Sequence, residues 1–233
     1  MAKTLSQFRT AVQRYVQDAD TILQEEDYNA AIEEAAFVLS RRDPRAYFES
    51  KTGDGSTFQW ALSTTYFIQG LSNITVVYYP WESDSNDDPV APLDKEYYMT
   101  YESTVGVWYF KLRGYTPGTS EVVRIHYTSK HVVSDTAASC TITNPQWEND
   151  AIRLAAAFCL RMLAAHAIAV GNPNLNADVV NYQSRSSEYA RRAQELIDMS
   201  GLKAYIATEQ PRGGAIFVSM GKPQDPTLEL VNQ

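Results

Sequence analysis

Three histidines, two cysteines and one dense run of acids are the side chains of this chain best suited to chemistry. His126 and His131 stand five apart in a strand-like run, which puts them on opposite faces instead of around one metal. His166 falls in an alanine-rich helical stretch, and all three read as packed or hydrogen-bonded structural histidines. Cys140 and Cys159, nineteen residues apart on different elements, meet neither redox nor zinc spacing and read as buried thiols. The segment from Trp81 to Glu96 holds six acids and one lysine, so it carries -5 of the net charge of -8. Within it Asp84, Asn86 and Asp88 match the first three alternating ligands of a calcium loop. The position that needs glycine is Pro89, however, and the twelfth is Lys95 where a bidentate glutamate belongs. A solvated acidic loop is the reading, with a weak divalent site as its alternative.

Other reactive patterns fail on their own terms. No Gly-x-Ser-x-Gly elbow and no Cys–His signature is present. Gly53-Asp-Gly-Ser-Thr57 lacks the phosphate-binding lysine and precedes a strand instead of a helix. Glu33 with Glu34 and Asp87 with Asp88 are adjacent pairs, which do not converge on a substrate and read as solvent-facing charge. The sequon Asn73-Ile-Thr75 carries weight only in a secreted protein. No cofactor and no metal is expected. Trp81 and the strand aromatics suggest a sugar-stacking face, although a filled β core accounts for most of those rings more simply.

The elements that must position these residues follow from periodicity. Leu5, Phe8, Val12, Val16, Ala19 and Leu23 describe one helical stripe, and Ile32, Ala35, Ala36 and Leu39 a second that ends before Pro44. From about Gly55 the period becomes strand-like: Phe58 to Leu62, Ile74 to Tyr79, Tyr97 to Tyr101, Val105 to Leu112 and Val122 to Val133. Nine of the fifteen tyrosines lie between Tyr66 and Tyr127, where amphipathic rings suit a pleated surface. Val105 to Leu112 and Glu121 to Tyr127 flank Gly114-Tyr-Thr-Pro-Gly118, which predicts a hairpin. Asn144-Pro145 then starts a helix running to about Val170, with alanine on nearly every side, so it is expected to be enclosed by neighbours. Its partner carries Val179, Tyr182, Ser186, Tyr189, Ala193 and Leu196, with Gly201 past its end. Beyond Glu209 the chain turns to Pro, Gly and isolated apolar residues, with Ala215 to Val218 as a lone strand-like patch that cannot bury itself.

The expected fold class is therefore α+β. A helical bundle forms from N- and C-terminal helices (1–50 and 144–206), with an antiparallel β domain inserted at 51–143 and an extended tail at 207–233. At 233 residues, 44% hydrophobic and 21% charged, the chain is an ordinary globular one. Its acidic balance argues against broad binding to phosphate backbones or anionic membranes. The apolar run 151–170 approaches spanning length, but Arg153, Arg161 and His166 within it favour a buried helix. The opening residues lack a secretory apolar region, which points to synthesis in a reducing cytosol.

The order of these elements, with Tyr28-x-x-Ala31-Ile32-x-x-Ala35, the Pro44-Arg45 stop, the alanine-rich helix and Tyr189-Ala-Arg-Arg-Ala-Gln-Glu-Leu-Ile197, resembles the head-to-tail adaptor (connector or head-completion) proteins of tailed bacteriophages. The resemblance covers about half the chain. It implies a non-enzymatic virion protein of the head–tail neck, made in the host cytoplasm, with no catalytic residues. Subunits would form a homo-oligomeric ring, typically of twelve, between the portal protein and a tail-side protein, with genomic DNA passing through without specific binding. It places Ile32, Ala35, Ala156 and Tyr189 in the bundle core, and assigns Ile216, Phe217, Val218, Leu228 and Leu230 to partner contact. Small adaptors of the family are all helical, so the role of the β insert stays open. Two other readings stand beside it: a binding module whose aromatic β domain recognises a carbohydrate or protein, and an enzyme whose groups converge from distant positions.

Overall fold

The computed structural model describes residues 3–18, 22–81, 93, 96–170 and 176–206, with 170 and 176–184 described in backbone only. Over these residues the chain is mixed helix and sheet, with five helices and two small antiparallel sheets. Helix α1 (Leu5–Val16) opens on a reciprocal cap: the Thr4 hydroxyl accepts from the Gln7 amide at 3.3 Å, and the Gln7 side chain accepts from the Thr4 amide at 3.0 Å. Phe8, Val12 and Val16 are wholly buried. The apolar stripe runs on to Leu23, but the helix stops at Val16 because Gln17 adopts a left-handed conformation (φ 51°). Leu23 packs on the same core from outside the helix.

Helix α2 (Glu25–Arg42) has Glu25, Glu26 and Asp27 in its first turn and Arg41 and Arg42 in its last, in keeping with the helix dipole. Ile32, Ala35, Ala36 and Leu39 are buried, as their spacing predicts. Helix α3 (Pro145–Val170) begins where the Asn144 side chain accepts from the Gln146 amide at 2.9 Å. At about 1.5 Å per residue its 26 residues span some 39 Å. It packs against α1, α2 and α4 (Asn176–Ser200), and Leu154, Ala156, Ala157, Cys159 and Leu160 are wholly buried. Pro145–Ala169 is long and apolar enough to cross a membrane, yet 61% of its apolar window is buried inside the fold. Gly201 ends α4 with a positive φ of 66°, and a single turn, α5 (Lys203–Ile206), follows.

Between α2 and α3 the described residues form six strands: β1 (Arg45–Thr52), β2 (Gln59–Ala61), β3 (Ile74–Tyr78), β4 (Tyr97–Glu102), β5 (Val107–Leu112) and β6 (Val122–Ser129). The first sheet has the order β1-β6-β3 and the second β2-β5-β4. Residues of both sheets, among them Val77, Phe110, Leu112, Val123, Ile125 and Tyr127, share a core separate from that of the helices. Strand structure therefore begins at Arg45, ten residues before the change of period at Gly55. The hydrophobic pattern misses β1 because its half-buried face is Arg45, Tyr47, Glu49 and Lys51, whereas Phe48 on the other face is half exposed.

The hairpin expected of β5 and β6 does not form. The two strands lie in different sheets, and the hairpin partner of β5 is β4, with Glu102 opposite Val107. The Gly114–Gly118 segment is a crossover. It is tied to the turn after β1, where Gly53 donates its amide to the Glu121 carbonyl at 2.8 Å and Gly55 to the Pro117 carbonyl at 2.9 Å.

Candidate functional site

Strand β6 alternates strictly, with Val123, Ile125, Tyr127 and Ser129 buried, so Arg124 and His126 stand on the outward face of the first sheet. Register brings their neighbours. Phe48 pairs with His126 and Ser50 with Arg124 across β1, and Tyr78 pairs with Arg124 across β3. Trp81 is pinned beside them by a 2.8 Å bond from its amide to the Val122 carbonyl.

The Arg124 guanidinium lies between two rings, 3.9 Å from the centroid of Trp81 and 4.4 Å from that of Phe48. Its Nε donates weakly to the Ser50 hydroxyl at 3.4 Å, and no carboxylate among the described residues pairs with it. Tyr78 meets Trp81 at 5.6 Å and His126 at 5.4 Å, and Phe48 meets His126 at 5.5 Å. Burial, followed by the charge of Arg124, pushes the His126 pKa down, so the ring is neutral at neutral pH. Its Nε2 and the Nε1 of Trp81 are buried without a hydrogen-bond partner among the described residues, an unusual state that a water or a ligand atom would relieve.

Chemically the cluster offers a cation stacked between two rings on an outward sheet face. An arginine held flat between rings keeps its remaining donors in a fixed fork that suits a carboxylate. His126 faces rings and a cation instead of a nucleophile it could activate. Arg124 covers one face of Trp81, so that face is closed to a sugar.

The other sequence candidates scatter. His131 is buried and bonded, as expected, between helices and sheet. His166 is exposed on α3, which corrects its reading as a packed residue: it falls on the outward side of the helix, flanked by exposed Ala165 and Ile168. Cys140 and Cys159 are both buried free thiols, and burial pushes Cys159 up to about 12. Glu33 and Glu34 are exposed on α2. Ile32, Ala35 and Ala156 are buried, and Tyr189 is half-buried against the same core. Asp84, Asn86, Asp88, Pro89 and Lys95 lie outside the described residues, as do Ile216, Phe217, Val218, Leu228 and Leu230. Among the described residues no three His, Cys, Asp or Glu side chains gather around a common point.

One acidic group inside the sandwich has a structural role that sequence reading passed over. Burial would raise the Glu49 pKa, but Lys51 at 2.6 Å, the Tyr127 hydroxyl and the Ser63 amide at 3.1 Å together hold it below the usual range. Phe48, Tyr78 and Arg124 also escaped notice, because a cation stacked between rings depends on cross-strand register instead of spacing along the chain. No family model and no curated protein sequence matches this chain.

Proposed function

We propose that the chain is a structural, non-catalytic subunit of a phage head-to-tail adaptor, built as a homo-oligomeric ring between portal and tail-side protein. Genomic DNA would pass through the ring without being gripped. In this reading the N- and C-terminal helices form one bundle, the sandwich is an insertion into it, and the tail 207–233 docks on a partner. The observation that carries it is the insertion topology. Helices α1 and α2 pack on α3 across about a hundred intervening residues, and α4 completes the same core. That is the order of elements on which the resemblance rests. The net charge of -8 fits a conduit that lets a polyanion slide.

Native mass spectrometry and electron microscopy of the full chain mixed with portal rings test this, with a ring on the portal as the expected result. A chain that stays monomeric and ignores portal at high concentration overturns it. Deleting residues 207–233 is expected to leave the thermal midpoint of the isolated subunit unchanged while abolishing portal association. A much lower midpoint would mean that the tail belongs to the subunit's own core.

A binding module is the second reading, favoured by a cleft of about 180 Å³ lined by Leu62, Thr64, Phe67, Gln69, Tyr101 and Trp108. The Trp108 indole N–H is buried without an acceptor among the described residues. Glycan binding lost on Tyr101→Ala would favour this reading over the first.

A further inference from the structure

We propose that the Phe48–Arg124–Trp81 face of one copy docks on the acidic outer face of α2 in a second copy, forming the contact that repeats around the assembly. The assignment rests on the reading of the chain as a ring subunit. A ring of identical copies needs two different, mutually complementary patches on each subunit, because only a head-to-tail contact closes by rotation.

The first patch is the outward face of the β1-β6-β3 sheet. Its residue types, Trp, Tyr, Phe and Arg, are those that anchor interfaces. Phe48 is 50% exposed, and Arg124 is the one full charge among Phe48, Tyr78, Trp81, Arg124 and His126. Stacking already immobilises the guanidinium, so little side-chain freedom remains to be lost when a carboxylate pairs with it. Among the described residues the only hydrogen-bond acceptor of Arg124 is the Ser50 hydroxyl at 3.4 Å, in a chain where 28 acids face 20 bases.

The complementary patch lies on α2. Glu26, Ala30, Glu33 and Glu34 are exposed at positions i, i+4, i+7 and i+8, which share one side of a helix. None of the three glutamates has an ion-pair partner among the described residues, whereas Glu25 beside them is paired with Arg9 at 2.7 Å. Ala30 leaves room between the carboxylates for a ring such as Phe48. Among the described residues, one patch thus presents a cation with no carboxylate partner, ringed by apolar surface, and the other carboxylates with no cation partner around a small apolar gap.

Sedimentation velocity of the full chain, across protein concentration and from low to high salt, tests this by charge exchange. Arg124→Glu, Phe48→Ser and the pair Glu33→Lys/Glu34→Lys are each expected to weaken self-association at least about tenfold. High salt is expected to weaken the wild type likewise. Arg124→Glu combined with Glu33→Lys/Glu34→Lys is expected to recover most of the loss. Phe48→Ser changes an exposed side chain, so it reports on docking even if the arginine variant folds poorly. Wild-type association in Arg124→Glu and Phe48→Ser overturns the contact but leaves the ring reading standing, as does a charge exchange without recovery. A wild type that associates neither with itself nor with portal rings overturns both.

Discussion

His131 is where helices and sandwich meet. Its amide donates to the Ser40 hydroxyl at 2.8 Å, its Nε2 bonds the Asp43 carbonyl at 2.8 Å, its Nδ1 the Thr141 hydroxyl at 3.1 Å, and its ring packs on Trp147 at 5.5 Å. A carbonyl on Nε2 requires that nitrogen to carry the proton, and in the neutral ring that burial favours, Nδ1 is then the acceptor for the Thr141 hydroxyl. Burial pushes its pKa below the ordinary value, as it does for His126. The sign of the pH dependence follows. Well above about 6.5 both histidines are neutral whether folded or not, and their contribution to stability is complete. Below it the unfolded chain takes up protons that the folded chain refuses, so stability falls as pH falls. Urea unfolding is expected to show lower stability at pH 5.5 than at 7.5, with a smaller difference in a His126→Gln/His131→Gln variant. Equal stability at the two pH values would contradict the assignment.

Among the elements, the turn after β1 decides the topology. A Cβ on Gly53 would sit 2.5 Å from the Pro117 carbonyl oxygen and 2.6 Å from that of Gly118, both backbone atoms of the crossover. Gly53→Ala is therefore expected to cost about 1–3 kcal/mol, read as a lower urea midpoint at unchanged slope. This contact also explains why the crossover looked like a hairpin in the sequence: Gly114 to Gly118 has turn composition, but nothing local reveals that its partner lies sixty residues earlier. The helices were legible because one buried stripe at a period of 3.6 suffices to mark each, as Ile32, Ala35 and Leu39 do on α2. Strand β1 was not, since it turns Glu49 and Lys51 inward, where they satisfy each other, and leaves Phe48 outside. The ring cluster around Arg124 was half legible. Trp81 and His126 drew attention by residue type, while Arg124, Tyr78 and Phe48 acquire meaning only when β6 is flanked by β1 and β3.

Among the described residues the molecule has two separate cores, one helical and one within the sandwich. Ala156 is wholly buried in the first, on a helix that contacts three others. Ala156→Leu is expected to destabilise by about 1–3 kcal/mol through overpacking, measured by chemical denaturation. An unchanged midpoint would mean that the neighbours of α3 yield more easily than their burial implies. The sandwich joins the helices through two adjacent chain crossings: Arg45 opens β1 directly opposite Ser129 at the close of β6, their Cα atoms about 5 Å apart. It therefore hangs from the helices on a two-strand stalk, as a cassette whose ends already meet. A short bridge between those two points would excise it without moving any helix, so shorter, all-helical versions of this body are reachable in one deletion, and decorated versions in one insertion.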